Sequence, residues 1–272
     1  MGLFKRKWNM FFHNLKEYSL FISIIFPIGL ALLIWGYTTE ENYSSTLVLI
    51  GYILMIFSII ITLYKSWPEK KIETKKILGD TITLETLNFL IPSVSKIGIV
   101  GPSSVGKTTL TENITQSSYS KVRTQITAAI ICSTRKYPIK YFALIDGPGN
   151  NTPEQFNIIK NSEILIILMD HNSSDDSKEF QQNRLQEISN LNNQFRNLLN
   201  QEKLKLKQVH LLLNKRDLWV NEKEEKREIL NNWFIEEVNR WNTGSFANYV
   251  TSDCYSNRIN SDLNELIKNL KI

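Results

Sequence analysis

Gly101-Pro102-Ser103-Ser104-Val105-Gly106-Lys107-Thr108 fits the pattern G-x-x-x-x-G-K-[ST]. The run Ile97-Gly98-Ile99-Val100 precedes it, and Leu110 and Ile114 follow it four residues apart. Few features restrict a fold so strongly, because such a loop works only where a strand feeds it and a helix leaves it. The order strand, loop, helix predicts an α/β domain that binds a polyphosphate.

The residue types match that chemistry. Gly101 and Gly106 let the backbone wrap closely around an anion, so that the amides of Ser103, Ser104, Val105 and Thr109 can form a cradle at the helix N-terminus. Lys107 is expected to reach the β and γ phosphates. The Thr108 hydroxyl is expected to hold a magnesium ion that keeps most of its waters.

Loops of this kind serve ATP and GTP alike, so the base must be read elsewhere. Asn214-Lys215-Arg216-Asp217 follows the apolar strand Val209 to Leu213 and fits N-K-x-D. A carboxylate at Asp217 accepts two hydrogen bonds from N1 and N2 of guanine. Adenine has no such donor pair and would leave the charge unpaired.

Between these motifs, Asp146-Gly147-Pro148-Gly149 ends the strand Tyr141 to Ile145. It resembles the D-x-x-G element of the small-GTPase superfamily, a likeness that implies that Asp146 holds magnesium through water and that the Gly149 amide meets the γ-phosphate. A threonine that closes on magnesium should lie roughly twenty residues earlier. Thr124 and Thr127 both qualify, and Thr127 is preferred. The same likeness implies a last base contact in the turn after the final strand, read here as Phe246 to Val250. Ser252, in Thr251-Ser252-Asp253, is the chosen amide donor, although the turn matches the usual S-A-K form poorly.

Across residues 96–272 these motifs resemble the Ras-like branch of the translation-factor-related GTPases. The membrane-type N-terminus, Thr124-Gln125-Ile126-Thr127 and Leu144-Ile145-Asp146-Gly147-Pro148-Gly149 are most similar to the β subunit of the signal recognition particle receptor, at superfamily level. The resemblance implies a six-stranded, mostly parallel sheet with five helices, GTP or GDP with Mg²⁺ as cofactors, and a GTP/GDP switch that recruits a protein effector or receptor subunit. It also implies a catalytic Gln after D-x-x-G, where this chain has Asn150. The shorter amide predicts slow hydrolysis and a GTPase-activating partner, and Ser103, at a position often Gly, points the same way. Arg216 lies in the base-reading tetrapeptide and Arg135 between paired strands, so neither is expected to supply charge in cis. A subunit that keeps GTP bound and serves as a docking face is the alternative.

Strands are expected at 96–100, 127–134, 139–146, 164–169, 209–213 and 246–250. Helices are expected at 107–117, 153–161, 177–202, 221–241 and 259–270.

Ahead of this domain, Tyr18 to Tyr37 and Ser45 to Tyr64 are two uncharged apolar runs of 20 residues. As helices they would cross about 30 Å of hydrocarbon. Residues 1–17 and the stretch after 64 are basic, whereas 38–44 carries Glu40 and Glu41 and no base. The positive-inside rule therefore predicts a transmembrane hairpin with both termini and the nucleotide domain cytoplasmic. Pro27 and Gly29 could kink the first span or open a close-packing face. Residues 65–95 read as a cytoplasmic linker, either a helix packed on the domain or a mobile tether.

Charge follows the same division. Residues 1–76 hold nine Lys or Arg against five Asp or Glu, a surplus of four within a net charge of +5. The remainder is close to neutral, which argues for lipid headgroups and against nucleic acid as the partner of the basic residues. Cys132 and Cys254 are expected to form neither a disulfide nor a metal cluster. His13, His171 and His210 read as surface or strand-edge residues.

Overall fold

The computed structural model describes residues 8–38, 44–67, 72–115, 127–134, 139–202, 206–243 and 250–270. The chain divides into two compact units, Met1–Ile72 and Glu73–Ile272.

The first unit is a pair of antiparallel helices, α1 (Trp8–Thr38) and α2 (Ser44–Ser66). Ser45–Ser66 is long and apolar enough to cross a bilayer by length and composition. In α1 the apolar stretch is shorter than expected, Ile22–Thr38. At 1.5 Å per residue it spans about 26 Å, less than a typical hydrocarbon core. Small residues decide how the helices meet. A Cβ on Gly29 would stand 2.9 Å from the carbonyl oxygen of Gly51, and one on Gly51 would stand 2.7 Å from that of Gly29. Gly29 thus opens a close-packing face. Ser58 and Thr62 are buried, and each hydroxyl donates to the carbonyl one turn earlier, at Met55 and Ser58. Large apolar side chains such as Ile34, Ile53, Ile56 and Phe57 are exposed instead.

Strand β1 (Ile72–Glu73) falls where the two units divide, and the second unit contains the short strands β2 (Thr81–Ile82) and β3 (Leu90–Ile91), followed by β4 (Ser95–Val100), β5 (Ala128–Ser133), β6 (Tyr141–Asp146), β7 (Ile164–Met169), β8 (Gln208–Leu213) and β9 (Val250–Cys254). The main sheet has seven strands in the order β2-β5-β6-β4-β7-β8-β9. The β2–β5 and β5–β6 pairs are antiparallel and the others parallel. The expected six strands therefore gain a seventh, β2, from the stretch read as a linker, and residues 73–95, which also form single 3-10 turns at Thr74–Ile77 and Thr86–Phe89, belong to the second unit. Two residues of strand are too short to leave a periodic pattern.

Helices α3 (Lys107–Thr115), α4 (Thr152–Asn161), α5 (Gln182–Gln201), α7 (Glu224–Asn242) and α8 (Asn260–Asn269) match the expected five, with a single turn, α6 (Arg216–Trp219), after β8. The central strand β7 is apolar throughout because helices cover both faces of the sheet, and every one of its residues is buried. Asn151 caps α4 by accepting from the Glu154 amide at 3.2 Å, with Pro153 beside it in the first turn.

The last strand differs from expectation. β9 runs Val250–Cys254 in register with Val209–Leu213, while residues 244–249 lie outside the described residues. It is the edge of the sheet, so Thr251, Ser252 and Asp253 need not be buried, and an apolar-run criterion passes over them.

The histidines also differ. His171 and His210 are buried, not at the surface, and the side chain of His13 lies outside the described residues. On β8, His210 Nδ1 pairs with the Thr251 hydroxyl at 2.6 Å, and burial pulls its pKa down to about 4. The fold therefore holds the neutral ring. The unfolded chain binds the extra proton between pH ~6.5 and the folded value. Stability is full above pH ~6.5 and declines by up to about 3 kcal/mol as pH falls toward 4. Urea unfolding of His210→Gln across that range should show a shallower pH dependence than the parent. An equal slope would mean the ring does not titrate in this window.

Candidate nucleotide site

The carboxyl end of β4 runs into the loop, and the loop's backbone explains its glycines. Gly101 has φ +145°, and a Cβ there would lie 2.4 Å from the Leu168 carbonyl oxygen. Gly106 has φ +94°, and a Cβ would meet the Asn257 and Asn214 amide nitrogens at 2.5 and 2.6 Å. Ser104 also adopts a left-handed conformation, φ +61°. Alternation of this kind turns successive amides toward one concave side.

Lys107 opens α3 and folds back over the loop, its Nζ donating to the carbonyls of Gly101 and Pro102, both at 2.9 Å. It is 7% exposed. Burial lowers its pKa to about 8, opposed by Asp146 and helped by Arg184. Asp146, at the end of β6, is raised to about 6 by burial, against the pull of Lys107 and of the Gly147 amide at 2.8 Å. Each charge is buried more deeply than its partner compensates, which suits a site that takes up both an anion and a cation.

Gly149 lies against the loop. A Cβ there would stand 2.5 Å from Lys107 Nζ and 2.7 Å from the Ser103 amide nitrogen. Buried Gln155 of α4 joins the two segments, since its Oε1 accepts from the Gly101 amide at 3.0 Å and its Nε2 donates to the Gly149 carbonyl at 2.8 Å. Asn150 is exposed.

Next to the loop, one carboxylate, Asp146, and one hydroxyl, Thr108, could hold a metal. That scarcity of protein ligands fits Mg²⁺, which binds through one or two protein oxygens, several waters and substrate phosphates. Among the described residues no cluster of three His, Cys, Asp or Glu could hold a metal alone. The Thr127 hydroxyl donates to the Glu154 carboxylate in this structure. The reason is register: Ala128 pairs with Asp146, so Thr127 sits level with Gly147 at the strand end. Thr124 lies outside the described residues.

On the other side of the loop, Asn214 Nδ2 donates to the Val105 carbonyl at 2.7 Å. Lys215, left-handed at φ +62°, donates to the carbonyls of Asn172 and Ser174 at 2.8 and 2.9 Å and pairs with Asp170 at 2.9 Å. Asp217 Oδ1 accepts from the Ser256 hydroxyl at 2.6 Å. Ser252 is not in this turn. It lies within β9, exposed and opposite Leu211. The turn after β9 is Ser256-Asn257-Arg258, in which Asn257 Nδ2 donates to the Gly106 carbonyl at 2.9 Å and Arg258 approaches Asp217 at 3.5 Å. A serine followed two residues later by a base was the available signal, closer to S-A-K than Thr251-Ser252-Asp253.

Residues 96–230 match the family described as 50S ribosome-binding GTPases. They form a P-loop GTPase domain. The crystal structure of a mutation variant of SsGBP aligns with 65% of this chain and 55% of its own, at 16% identity and a TM-score of 0.40. This chain thus spans just over half of that structure's length, and a likeness of that degree says nothing about function. No curated relative matches the chain.

Within the GTPase domain, Gln155, Ser256, Asn257, Asp170 and Arg184 went unnoticed in the sequence. Each lies outside a contiguous motif and reaches the site only through the fold.

Proposed function

We propose that the protein is a membrane-anchored GTP-binding protein that switches between GTP and GDP states and recruits a protein effector at the bilayer. The observation that carries the reading is the shared frame of loop and base motif. Asn214 is bonded to Val105 of the loop, and Asp217 stands three residues further on beside Ser256. Asp217 accepts from guanine N1 and N2, and the backbone amide of Asn257, which here donates to Asn214 Oδ1 at 3.3 Å, turns to the guanine oxygen when the base is bound. Lys107 and the loop amides bind the phosphates, with Thr108 and Asp146 holding Mg²⁺. The ion neutralises charge on the β and γ phosphates when bound. Gln155 keeps the Gly149 segment against the loop, so a γ-phosphate there would bear directly on the second switch.

The anchor reading is supported by α2, by the Gly29–Gly51 contact and by the outward apolar side chains, which reverse the usual pattern of a water-soluble helix pair. On this reading α1 completes a two-span hairpin, and the basic flanks set both termini and the GTPase domain on the cytoplasmic side. The near-neutral balance of residues 77–272 speaks against a nucleic-acid partner.

A second reading, a receptor or scaffold subunit that holds GTP with little hydrolysis, is favoured by exposed Asn150 where Gln is usual and by Ser103 in the loop. The full-length protein in lipid vesicles separates the two. Guanine nucleotide should be released on denaturation, and single-turnover hydrolysis in minutes marks the switch. GTP retained for hours marks the docking subunit, or a switch awaiting its activating partner. Release of adenine nucleotide would refute both.

A further inference from the structure

No motif accounts for Arg184. It lies in the first turn of α5, is 5% exposed, and gives each guanidinium nitrogen its own acceptor. Nε donates to Asp170 at 2.7 Å, Nη1 to Glu187 at 2.9 Å, and Nη2 to the Ser103 carbonyl at 2.7 Å. The third acceptor belongs to the phosphate loop, 81 residues earlier in the chain. Fully buried Asp170 binds Lys215 as well, at 2.9 Å. A line of paired charges therefore runs from the base-reading tetrapeptide to the loop.

Peptide geometry gives the Ser103 contact a consequence. In a trans peptide the C=O and the following N–H point in opposite directions. Holding the Ser103 carbonyl on Arg184 turns the Ser104 amide toward the concave side of the loop. Ser104 is left-handed, a conformation that a serine keeps only where its surroundings hold it. The Ser103 amide nitrogen also faces Gly149, the residue expected to meet the γ-phosphate. Arg184 thus grips the loop at its terminal-phosphate end.

We infer that Arg184 is a positioning residue for the terminal phosphate of GTP: it fixes the Ser103–Ser104 peptide and, through Asp170, ties it to Lys215. This rests on the GTP-binding reading above. A buried ion pair that only packs α5 on the sheet would treat GTP and GDP alike, and that difference supplies the test.

Full-length Arg184→Ala and Arg184→Lys are compared with the parent for affinity toward GDP and toward a slowly hydrolysed GTP analogue, both with Mg²⁺, and for unfolding midpoint. In Arg184→Ala the analogue should lose about tenfold more affinity than GDP. Arg184→Lys should lose less, because its ammonium keeps the Asp170 pair but cannot serve all three acceptors at once. Equal losses for both nucleotides, or none, would overturn the proposal. If Arg184→Ala does not fold because Asp170 loses a partner, the same comparison in Arg184→Lys decides. A parent protein that binds neither nucleotide would overturn the GTP-binding reading itself, before any substitution is made.

Discussion

Asp217→Asn should lower GTP affinity by about a thousandfold and create affinity for xanthosine triphosphate. The carboxylate offers two acceptors to the paired N–H donors of guanine. An amide presents one acceptor and one donor, so a guanine hydrogen bond is lost and a donor meets a donor. Xanthine carries an oxygen where guanine carries its amino group, and the new donor suits it. The Ser256 hydroxyl that now bonds Asp217 at 2.6 Å can bond the amide oxygen equally well, so the substitution spares the turn. Competition binding with GTP, xanthosine triphosphate and ATP reads the result. Unchanged base preference would remove Asp217 from the base site.

Lys107→Met should abolish measurable binding of either guanine nucleotide, a loss of at least about a thousandfold, because charge-assisted bonds to phosphate disappear from a buried site. The methionine keeps length and burial, so the unfolding midpoint of the nucleotide-free protein separates lost binding from lost fold. In the parent, the lysine titrates at about 8 before nucleotide arrives, and a bound polyphosphate raises that value. Binding therefore takes up a proton at pH 8 and above, and affinity should fall as pH climbs past 8. Titration calorimetry in buffers of different ionisation enthalpy would register that proton. Binding without uptake at pH 8.5 would mean that Lys107 stays charged in the free site.

The parts of the site that were legible share one property. The loop, Asp146 to Gly149 and Asn214 to Asp217 are each contiguous, and each follows a strand whose apolar run marks its end. Ser252 falls inside β9 rather than in the turn because β9, at the sheet edge, does not carry the apolar run that marks the other strands. Val250–Cys254 is half polar, so the apolar run seemed to end four residues too soon, and the turn at Ser256 was missed with it. Spacing alone favours Thr127, and spacing cannot show that Glu154 takes its hydroxyl. The seventh strand escaped because Thr81 and Ile82 are held by pairing with Ala129 and Ile130, residues nearly fifty positions away.

The sequence by itself determined the order of strand, loop and helix, the base-reading tetrapeptide and the apolar N-terminal runs. All of these depend on residues close together in the chain, where backbone conformation and hydrophobic periodicity are set locally. Only the tertiary structure decided that Gln155 joins Gly101 to Gly149, that Arg184 grips Ser103, that Asn257 supports Gly106 from 151 residues away, and that Gly29 faces Gly51. Such contacts form between segments distant in sequence, and their partners are chosen by sheet order and helix packing, which no local pattern of residue types records.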